Sequence, residues 1–396
     1  LRPITHEDVW LMQRLGKPVV SPDGKRVVVS VTQPSYEEDG KRSDLWLLSV
    51  DGKTEPMRLT STAESEDGVA WSPDGKKIAF STKRGKDEAD QVYLLNMEGP
   101  GEAAPITDLS TGAKRPQWSP DGKHIAFESR VYPGAADDEA NKAEKEAREE
   151  REINVSAYEI FPIRQWDDWR DDMQTHLFVE EASAGAQAKN LLAGSKLVEA
   201  AGFAGTPTRS GDSLNPAWSP DGKSLVFNAT TNLDEAAHAR VLYHLYAVAV
   251  SGGEPQPITD SDDWSCHNPL FSNNGKALYC EYEPENEYVY NLNGVARFKW
   301  SRKGIRGDLD VITSSFDRSV TGMDISEDGK TVYLTAADAG RSRIYSVPAE
   351  GGPVKALDPE SGCATDPKLL GRIAANWAFV AAGRGDVPST IHYEHQ

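Results

Sequence analysis

The stretch richest in side chains that could bind a ligand or take part in catalysis is Tyr158–Asp172. It contains an Arg-x-Trp-Asp-x-Trp run, Arg164–Trp169, bordered by further acidic residues, and nothing comparable occurs elsewhere in the chain. Such a run lines a binding cavity, or it serves as aromatic packing and ion pairing in an elaborate connection between strands. Both interpretations stand at the level of the sequence.

The motifs of a self-sufficient catalytic site are absent from the sequence. There is no Gly-x-Ser-x-Gly nucleophile motif, no P-loop, no dinucleotide fingerprint and no His-Glu-x-x-His. The eight histidines are scattered, and no spacing suggests a metal site. A Ser/His/Asp constellation is spatial and leaves no fixed spacing, but nothing here favours one. The residues therefore predict a binding or gating scaffold with no cofactor and no metal.

A repeated turn must position whatever the chain binds. The ten residues Trp71–Phe80 recur almost unchanged as Trp118–Phe127 and Trp218–Phe227. Shorter or eroded copies are Ser21–Lys25, Ser272–Lys276 and Ser326–Lys330. Pro presets the first central position of the Ser-Pro-Asp-Gly turn, and Gly takes the left-handed conformation that closes it. The apolar run after each turn predicts a strand that is buried on both faces.

Four short strands follow one another in most repeats, and the repeats are about 50 residues long, which is typical of a β-propeller blade. The sequence thus predicts an all-β fold: a seven-bladed propeller of four-stranded antiparallel blades over residues 18–396, after a helical lead-in at 1–17. The predicted blades are 18–60, 69–107, 115–193, 215–259, 268–313, 320–357 and 363–396. The last of these lacks the turn, as terminal repeats often do.

Blade three contains an insertion, residues 131–157, that is rich in Ala, Asp, Glu, Lys and Arg. Opposite charges stand four residues apart, as at Glu144 and Arg148, which predicts a helix with a solvated, charged face. The alternative role is a mobile gate or a docking arm.

The composition narrows the classes of partner. The formal net charge is −19, which argues against nucleic acid or an anionic membrane surface as the main partner. No apolar run approaches the ~20 residues of a membrane span. Of the three cysteines, Cys266 and Cys280 flank one turn almost symmetrically, so they form either a disulfide across a hairpin or two small buried hydrophobes.

The repeated Trp-Ser-Pro-Asp-Gly-Lys hairpins resemble the propeller repeats of TolB and of the prolyl oligopeptidase family of serine peptidases. The opening Pro3–Gly16, which leads into the first turn, is similar to the start of acylaminoacyl-peptidase and dipeptidyl-peptidase relatives. The block Phe161–Trp169, followed by the strand His176–Val179, is similar to blade three of the dipeptidyl-peptidase 5 group.

The resemblance implies that the propeller gates a serine exopeptidase acting on short peptides and holds the amino-terminal end of the substrate. Its candidate residues for an α-amino group are acidic: Glu159, Asp167, Asp168 and the stretch Glu281–Glu287. Arg164 is the candidate for a peptide carbonyl, and Trp166 and Trp169 are the candidates for an apolar wall.

The resemblance also implies a partner, an α/β-hydrolase domain with the Ser-Asp-His triad, which follows the propeller in that family. The chain stops at Gln396, where that domain would begin, so the chain alone is expected to be inactive. The expected location is periplasmic or secreted. The alternative is a free-standing propeller that binds another protein, as TolB does.

Overall fold

Each repeated turn is closed by hydrogen bonds among its own residues. In blade two, Ser72 Oγ donates to Asp74 Oδ1 (2.6 Å), and the Lys76 amide donates to the same oxygen (3.0 Å). The Lys77 amide donates to Ser72 Oγ (2.9 Å), and Gly75 takes a φ of 71°. The same set of bonds recurs in the other five turns, with Asn274 in place of the aspartate in blade five. The Ser, Asp and Gly of the repeat are thus required by one local network.

The computed structural model describes residues 3–35, 40–99, 101–151, 155, 163–165, 168–208, 211–286, 288, 290–302, 304–338 and 341–357. These residues fall into two compact units. The first comprises residues up to 118 together with 182–186, and the second comprises 119–181 and residues from 187 onward.

The first unit contains a short helix and blades one and two. Its elements are α1 (His6–Trp10), β1 (Arg14–Leu15), β2 (Val19–Val20), β3 (Arg26–Ser35), β4 (Gly40–Ser49), β5 (Met57–Arg58), β6 (Glu66–Trp71), β7 (Lys77–Thr82), β8 (Gln91–Asn96) and β9 (Ala104–Pro105). The sheet orders are β1–β3–β4–β5, with β2 also paired to β3, and β6–β7–β8–β9.

Blade three has the order β10–β11–β14–β15 and carries the insertion. Its elements are β10 (Lys114–Trp118), β11 (His124–Val131), α2 (Asp138–Glu149), β12 (Arg164–Gln165), β13 (Asp168–Trp169), β14 (Gln174–Glu181) and β15 (Lys189–Asn190). The insertion thus holds the predicted charged helix, α2, and a small hairpin, β12–β13.

Blades four to six follow in the second unit, after a separate hairpin formed by β16 (Thr206–Thr208) and β17 (Gly211–Ser213). Blade four is β18 (Ala217–Trp218), β19 (Ser224–Ala229), β20 (His244–Ala249) and β21 (Gln256–Pro257), with the 3₁₀ turn Leu233–Glu235. Blade five is β22 (Trp264–Phe271), β23 (Ala277–Pro284), β24 (Gly294–Ser301) and β25 (Gly304–Val311). Blade six is β26 (Val320–Ile325), β27 (Thr331–Asp338), β28 (Arg341–Pro348) and β29 (Lys355–Ala356).

The predicted count of seven blades is wrong: the described residues form six blades, each built on an antiparallel four-stranded path. The predicted seventh blade, residues 363–396, lies outside the described residues. All six blades contain the Ser-x-x-Gly turn, whereas the supposed seventh was inferred from apolar runs without it. The turn, rather than apolar periodicity, is therefore the feature that marks a blade.

The second strand of each blade forms the core, as predicted. Ile78, Ala79 and Phe80 are fully buried, as are Ile125, Ala126 and Phe127. The tryptophan before the turn has a separate role in the first unit. Trp71 Nε1 donates to the Val19 carbonyl in blade one (3.0 Å), so the indole both fills the core and links neighbouring blades.

Cys266 and Cys280 form a disulfide that joins β22 to β23 in the core of blade five, with 5.6 Å between the Cα atoms. Both residues are fully buried. Of the two interpretations left open by the sequence, the disulfide is confirmed.

Helix α1, within the predicted helical lead-in, begins with a capping box. The Asp8 amide donates to Thr5 Oγ1 (3.3 Å), and the Thr5 amide donates to Asp8 Oδ2 (2.9 Å). The apolar side chains of this segment stay exposed: Trp10 is 43% and Leu11 46% accessible.

Glu180 on β14 should make stability fall as the pH rises. The side chain is buried, and its Oε1 has no hydrogen-bond partner among the described residues. Burial raises the pKa of Glu180 to about 8, so the folded state keeps a proton that the unfolded chain releases near its ordinary pKa of 4.5. The unfolding free energy should then decrease by at most about 1.4 kcal/mol per pH unit between these values.

We expect Glu180→Gln to remove this decrease, because the amide does not ionise. The difference in melting temperature between variant and wild type, measured by calorimetry, should widen from pH 5 to pH 8. A constant difference would show that the carboxyl ionises as easily in the fold as in the unfolded chain.

Candidate functional site

Arg164 and Trp169 of the predicted block lie opposite each other across the hairpin β12–β13. The Arg164 guanidinium carbon is 5.8 Å from the centroid of the Trp169 ring, and 65% of Trp169 is exposed. The pair is a cation–π contact that presents an apolar, cationic surface to solvent.

The structure leaves the other predicted residues of the block untested. Glu159, Trp166 and Asp167 lie outside the described residues. Asp168 is placed by its backbone alone, in β13 opposite Gln165.

Arg170 comes directly after this hairpin and points to a binding site. Its amide donates to the Ile163 carbonyl (3.0 Å), which closes the base of the hairpin. Its Nη1 is buried and has no hydrogen-bond partner within the described part of the chain. Buried guanidinium nitrogens nearly always have a hydrogen-bond partner. This nitrogen is therefore suited to donate a hydrogen bond to an acceptor atom of a ligand.

Tyr243 is a buried tyrosine on whose hydroxyl the charge of Arg170 acts. Only 8% of the residue is exposed, and burial raises the pKa of its hydroxyl to about 12. The carboxylates of Asp212 and Glu283 act in the same direction, and the Arg170 guanidinium opposes them. The hydroxyl therefore remains protonated at neutral pH and is available as a hydrogen-bond donor.

His267 packs its ring on Tyr243, with 4.7 Å between the ring centroids, and holds Glu283 on the other side. The distance from His267 Nε2 to Glu283 Oε2 is 3.6 Å. This interaction lowers the pKa of Glu283, while partial burial opposes it. The Glu283 side chain is 44% exposed, so its carboxylate is both charged and accessible.

Two glutamates of the acidic stretch Glu281–Glu287 accept hydrogen bonds from polar side chains of β22. Glu281 Oε2 accepts from Asn268 Nδ2 (2.9 Å), and Glu285 Oε1 accepts from Ser265 Oγ (3.0 Å). Ser265 Oγ also accepts from the Tyr243 amide (3.1 Å). Glu285 therefore supports the tyrosine, whereas Glu283 is held by the longer contact to His267.

A chain of side-chain hydrogen bonds sets the orientation of His267. Asn215 Nδ2 donates to Asn228 Oδ1 (3.2 Å), and Asn228 Nδ2 donates to Thr206 Oγ1 (2.9 Å). Thr206 Oγ1 lies 3.4 Å from His267 Nδ1. Since the threonine hydroxyl already accepts one bond, its proton is available to Nδ1, which leaves Nε2–H to face Glu283.

The hairpin β16–β17 that carries Thr206 is held by the buried carboxylate of Glu128 on β11. Glu128 Oε1 accepts from Ser213 Oγ (2.9 Å), the Leu214 amide (2.8 Å) and the Asn215 amide (3.2 Å). Asn215 has a φ of 46°, a left-handed conformation that asparagine tolerates better than most residues. Glu128 thus fixes the segment on which the hydrogen-bond chain to His267 begins.

Comparison with known proteins gives the type of fold. Residues 11–149 match the sequence model of the TolB beta propeller domain. The fold is that of a β-propeller. Pyrococcus horikoshii acylaminoacyl peptidase superposes with a TM-score of 0.59 at 14% identity, over 89% of this chain and 46% of that one. The propeller domain of the trilobed protease from Pyrococcus furiosus gives 0.52 at 13% identity, over 87% and 84%.

The propeller is also similar in sequence to curated peptidases. Dipeptidyl-peptidase 5 of Porphyromonas gingivalis is 24% identical over 355 residues, which cover 89% of this chain and 49% of that protein. The chain spans about half the length of the curated relatives it matches. The expected resemblance to the dipeptidyl-peptidase 5 group is confirmed.

Two residues of the candidate site around Tyr243 lie in regions that were predicted from the sequence. Arg170 and Glu283 lie within the two stretches singled out from the sequence, Tyr158–Asp172 and Glu281–Glu287. Tyr243 and His267 were missed, because only the pairing of β22 with β23 brings the histidine beside the acidic stretch. Glu281, Glu283 and Glu285 alternate, which could have indicated that they share one face of a strand. Among the described residues, no group of three or more His, Cys, Asp or Glu could hold a metal.

Proposed function

We propose that the chain is the substrate-binding propeller of a serine exopeptidase that acts on short peptides. In this proposal the site around Tyr243 holds the amino-terminal end of the substrate. The Glu283 carboxylate accepts from the α-ammonium group, and Arg170 Nη1 donates to a peptide carbonyl. Two observations carry the proposal: Nη1 of Arg170 is buried without a partner among the described residues, and the accessible Glu283 carboxylate contacts His267. The charges of both Arg170 and Glu283 act on Tyr243.

The charges favour a substrate with a free amino terminus. A charge-assisted hydrogen bond to Glu283 is among the stronger polar contacts, and burial of the site reduces screening. In this proposal the exposed pair Arg164 and Trp169, on the neighbouring hairpin, contacts a side chain of the same peptide. The predicted residues Glu159, Trp166, Asp167 and Asp168 remain part of this proposal as members of the same block.

The proposed partner is an α/β-hydrolase catalytic domain, which supplies the nucleophile. The support is twofold: the curated relatives are about twice as long as the matched region, and an apolar surface is exposed in the first unit. That surface consists of Ile4, Val9, Trp10 and Leu11.

The proposed location is outside the cytoplasm. A buried disulfide supports it, because structural disulfides persist in oxidising compartments. Within the described residues, none of the helices is long and apolar enough to cross a membrane.

The test of the proposed site uses two ligands that differ only in the charge of the amino terminus. Titration calorimetry of the chain with alanyl-alanine amide and with its N-acetyl form should show binding of the free peptide and at least tenfold weaker binding of the acetylated one. The ratio follows from the loss of a hydrogen bond to a charged group, about 1.5–3 kcal/mol. Arg170→Met should weaken both ligands, since the carbonyl contact is common to them.

Arg306→Met is the matched control, because Arg306 is exposed on β25 and bonded to Ser301 Oγ (2.9 Å). It should leave both affinities unchanged. Equal affinity for the two peptides, or no binding of either at millimolar concentration, would overturn the proposed site.

A further inference from the structure

Helix α2 has the predicted solvated, charged face, but it also docks on the end of β11 through one buried residue. Asn141 is 3% exposed. Its Oδ1 accepts from the Tyr132 amide (2.8 Å), and its Nδ2 donates to the Arg130 carbonyl (3.2 Å). The asparagine thus continues the hydrogen bonding of the strand into the helix and fixes the helix next to blade three.

Arg148, in the last turn of α2, is bound on several sides. Its guanidinium carbon lies 4.4 Å from the centroid of the Tyr132 ring, over which the guanidinium stacks. Nε donates to Glu144 Oε1 (2.6 Å), while Nη1 and Nη2 donate to the two carboxylate oxygens of Asp172 (2.6 and 2.8 Å). A two-pronged arginine–carboxylate contact fixes direction as well as distance.

The residue next to Asp172 is held in a similar way from β11. Arg130 Nη2 donates to Asp171 Oδ1 and to the Met173 carbonyl (2.9 Å). Three consecutive residues, Asp171–Met173, are therefore fixed by two arginines that do not belong to the hairpin β12–β13. Arg170, which precedes them directly, has its amide fixed to Ile163.

We propose that Arg148 is a positioning residue for the candidate site: through Asp172 it holds the backbone at Arg170, and with it the position of the Arg170 guanidinium. This inference rests on the proposed function. Arg148 acts through Asp172 and does not touch the substrate. Through this contact helix α2 holds one segment of the binding site in place, and this is the function that we assign to the charged insertion of blade three.

The ion pair between Arg148 and Asp172 is the contact on which this role depends. The Arg148 side chain is 29% exposed and stacked on an aromatic ring, whereas the Asp172 side chain is 53% exposed, so only the arginine side of the ion pair is shielded from solvent. The hydrogen bonds from Arg148 lower the pKa of Asp172, so the pair remains charged below the ordinary pKa of an aspartate. Lys142 and Glu146 of the same helix take no part in this contact, since they pair with each other at 3.9 Å and are both exposed.

The experiment compares Arg148→Met, Arg148→Lys and the control Lys142→Met in the chain, with two readouts. The first is hydrogen exchange of fragments spanning residues 168–173 in the unbound protein. The second is the affinity for alanyl-alanine amide. Arg148→Met should speed exchange of this segment at least tenfold and weaken the peptide at least fivefold, while a thermal melt shows the fold intact.

Arg148→Lys should restore part of both effects, because it keeps the charge and loses the two-pronged contact. Lys142→Met should change neither readout. Asp172→Asn should reproduce the effect of Arg148→Met, and the double variant should be no worse than either single one.

The outcomes separate this inference from the proposed function. If the wild type binds the peptide and Arg148→Met changes neither exchange nor affinity, Arg148 is not a positioning residue. Faster exchange with unchanged affinity would equally overturn the inference. If the wild-type chain binds no peptide, the proposed function fails, and with it the role of Arg148 in binding.

Discussion

Glu283→Gln should abolish the preference of the propeller for a free amino terminus. The affinity for alanyl-alanine amide should fall about 10- to 100-fold, since the hydrogen bond to a charged group is replaced by a neutral one. The affinity for the N-acetyl peptide should stay unchanged, because that ligand has no ammonium group. Calorimetric titration of both ligands into both proteins gives the four dissociation constants required.

The pH dependence of the wild type follows from the two charged partners. Affinity for the free peptide should decline above pH ~8, where an α-amino group loses its proton. It should persist below pH 4.5, the ordinary pKa of a glutamate, because the contact with His267 lowers the pKa of Glu283. In Glu283→Gln both limbs of this profile should flatten.

Glu285→Gln is the matched control for this prediction. Glu285 belongs to the same acidic stretch but accepts from Ser265 Oγ rather than facing His267. It should reduce affinity for the free peptide by less than threefold. If the two variants lose affinity equally, the ammonium group responds to the general negative field of the stretch, and a specific bond to Glu283 is excluded.

Glu128→Ala should destabilise the fold by about 3 kcal/mol or more. The substitution removes the acceptor of the Leu214 and Asn215 amides and of Ser213 Oγ, and the buried Leu214 amide has no second acceptor to replace it among the described residues. It also opens a cavity in a strand that is otherwise fully packed. The free energy of unfolding, measured by urea denaturation, should show this decrease.

Glu128→Gln tests the cause. The amide retains one acceptor oxygen of similar position, so its loss of stability should be less than half that of the alanine variant. Equal losses in the two variants would mean that the negative charge, rather than the three accepted bonds, stabilises the segment Ser213–Asn215.

The blades could be predicted from the sequence because their defining contacts are local. Ser72, Asp74 and Gly75 satisfy one another within six residues, so the residue types reveal the turn. The number of blades could not be predicted in the same way. Residues 363–396 contain apolar runs without the turn, and an apolar run alone does not distinguish a blade from another buried segment.

The site was predictable only as two regions. The sequence marks Tyr158–Asp172 and Glu281–Glu287 as unusual, but it does not show that Arg170 and Glu283 act on the same tyrosine. That common effect depends on the strand register of β22 and β23 and on where the hairpin β12–β13 leaves Arg170 in the fold. Contacts between residues more than a hundred positions apart leave no periodicity in the chain.

The self-contained turn has a consequence for how such a fold can diversify. Because its hydrogen bonds are internal, the turn survives while the strands on either side exchange most of their residues, as the Ser272–Gly275 copy does after replacing aspartate by asparagine. The indole of Trp71 meets the preceding blade at a backbone carbonyl, which every sequence offers. A gene segment that encodes one blade could therefore be duplicated or replaced without a compensating change in its neighbour. Divergent members of this lineage should be recognised by their turns long after their strands have ceased to align.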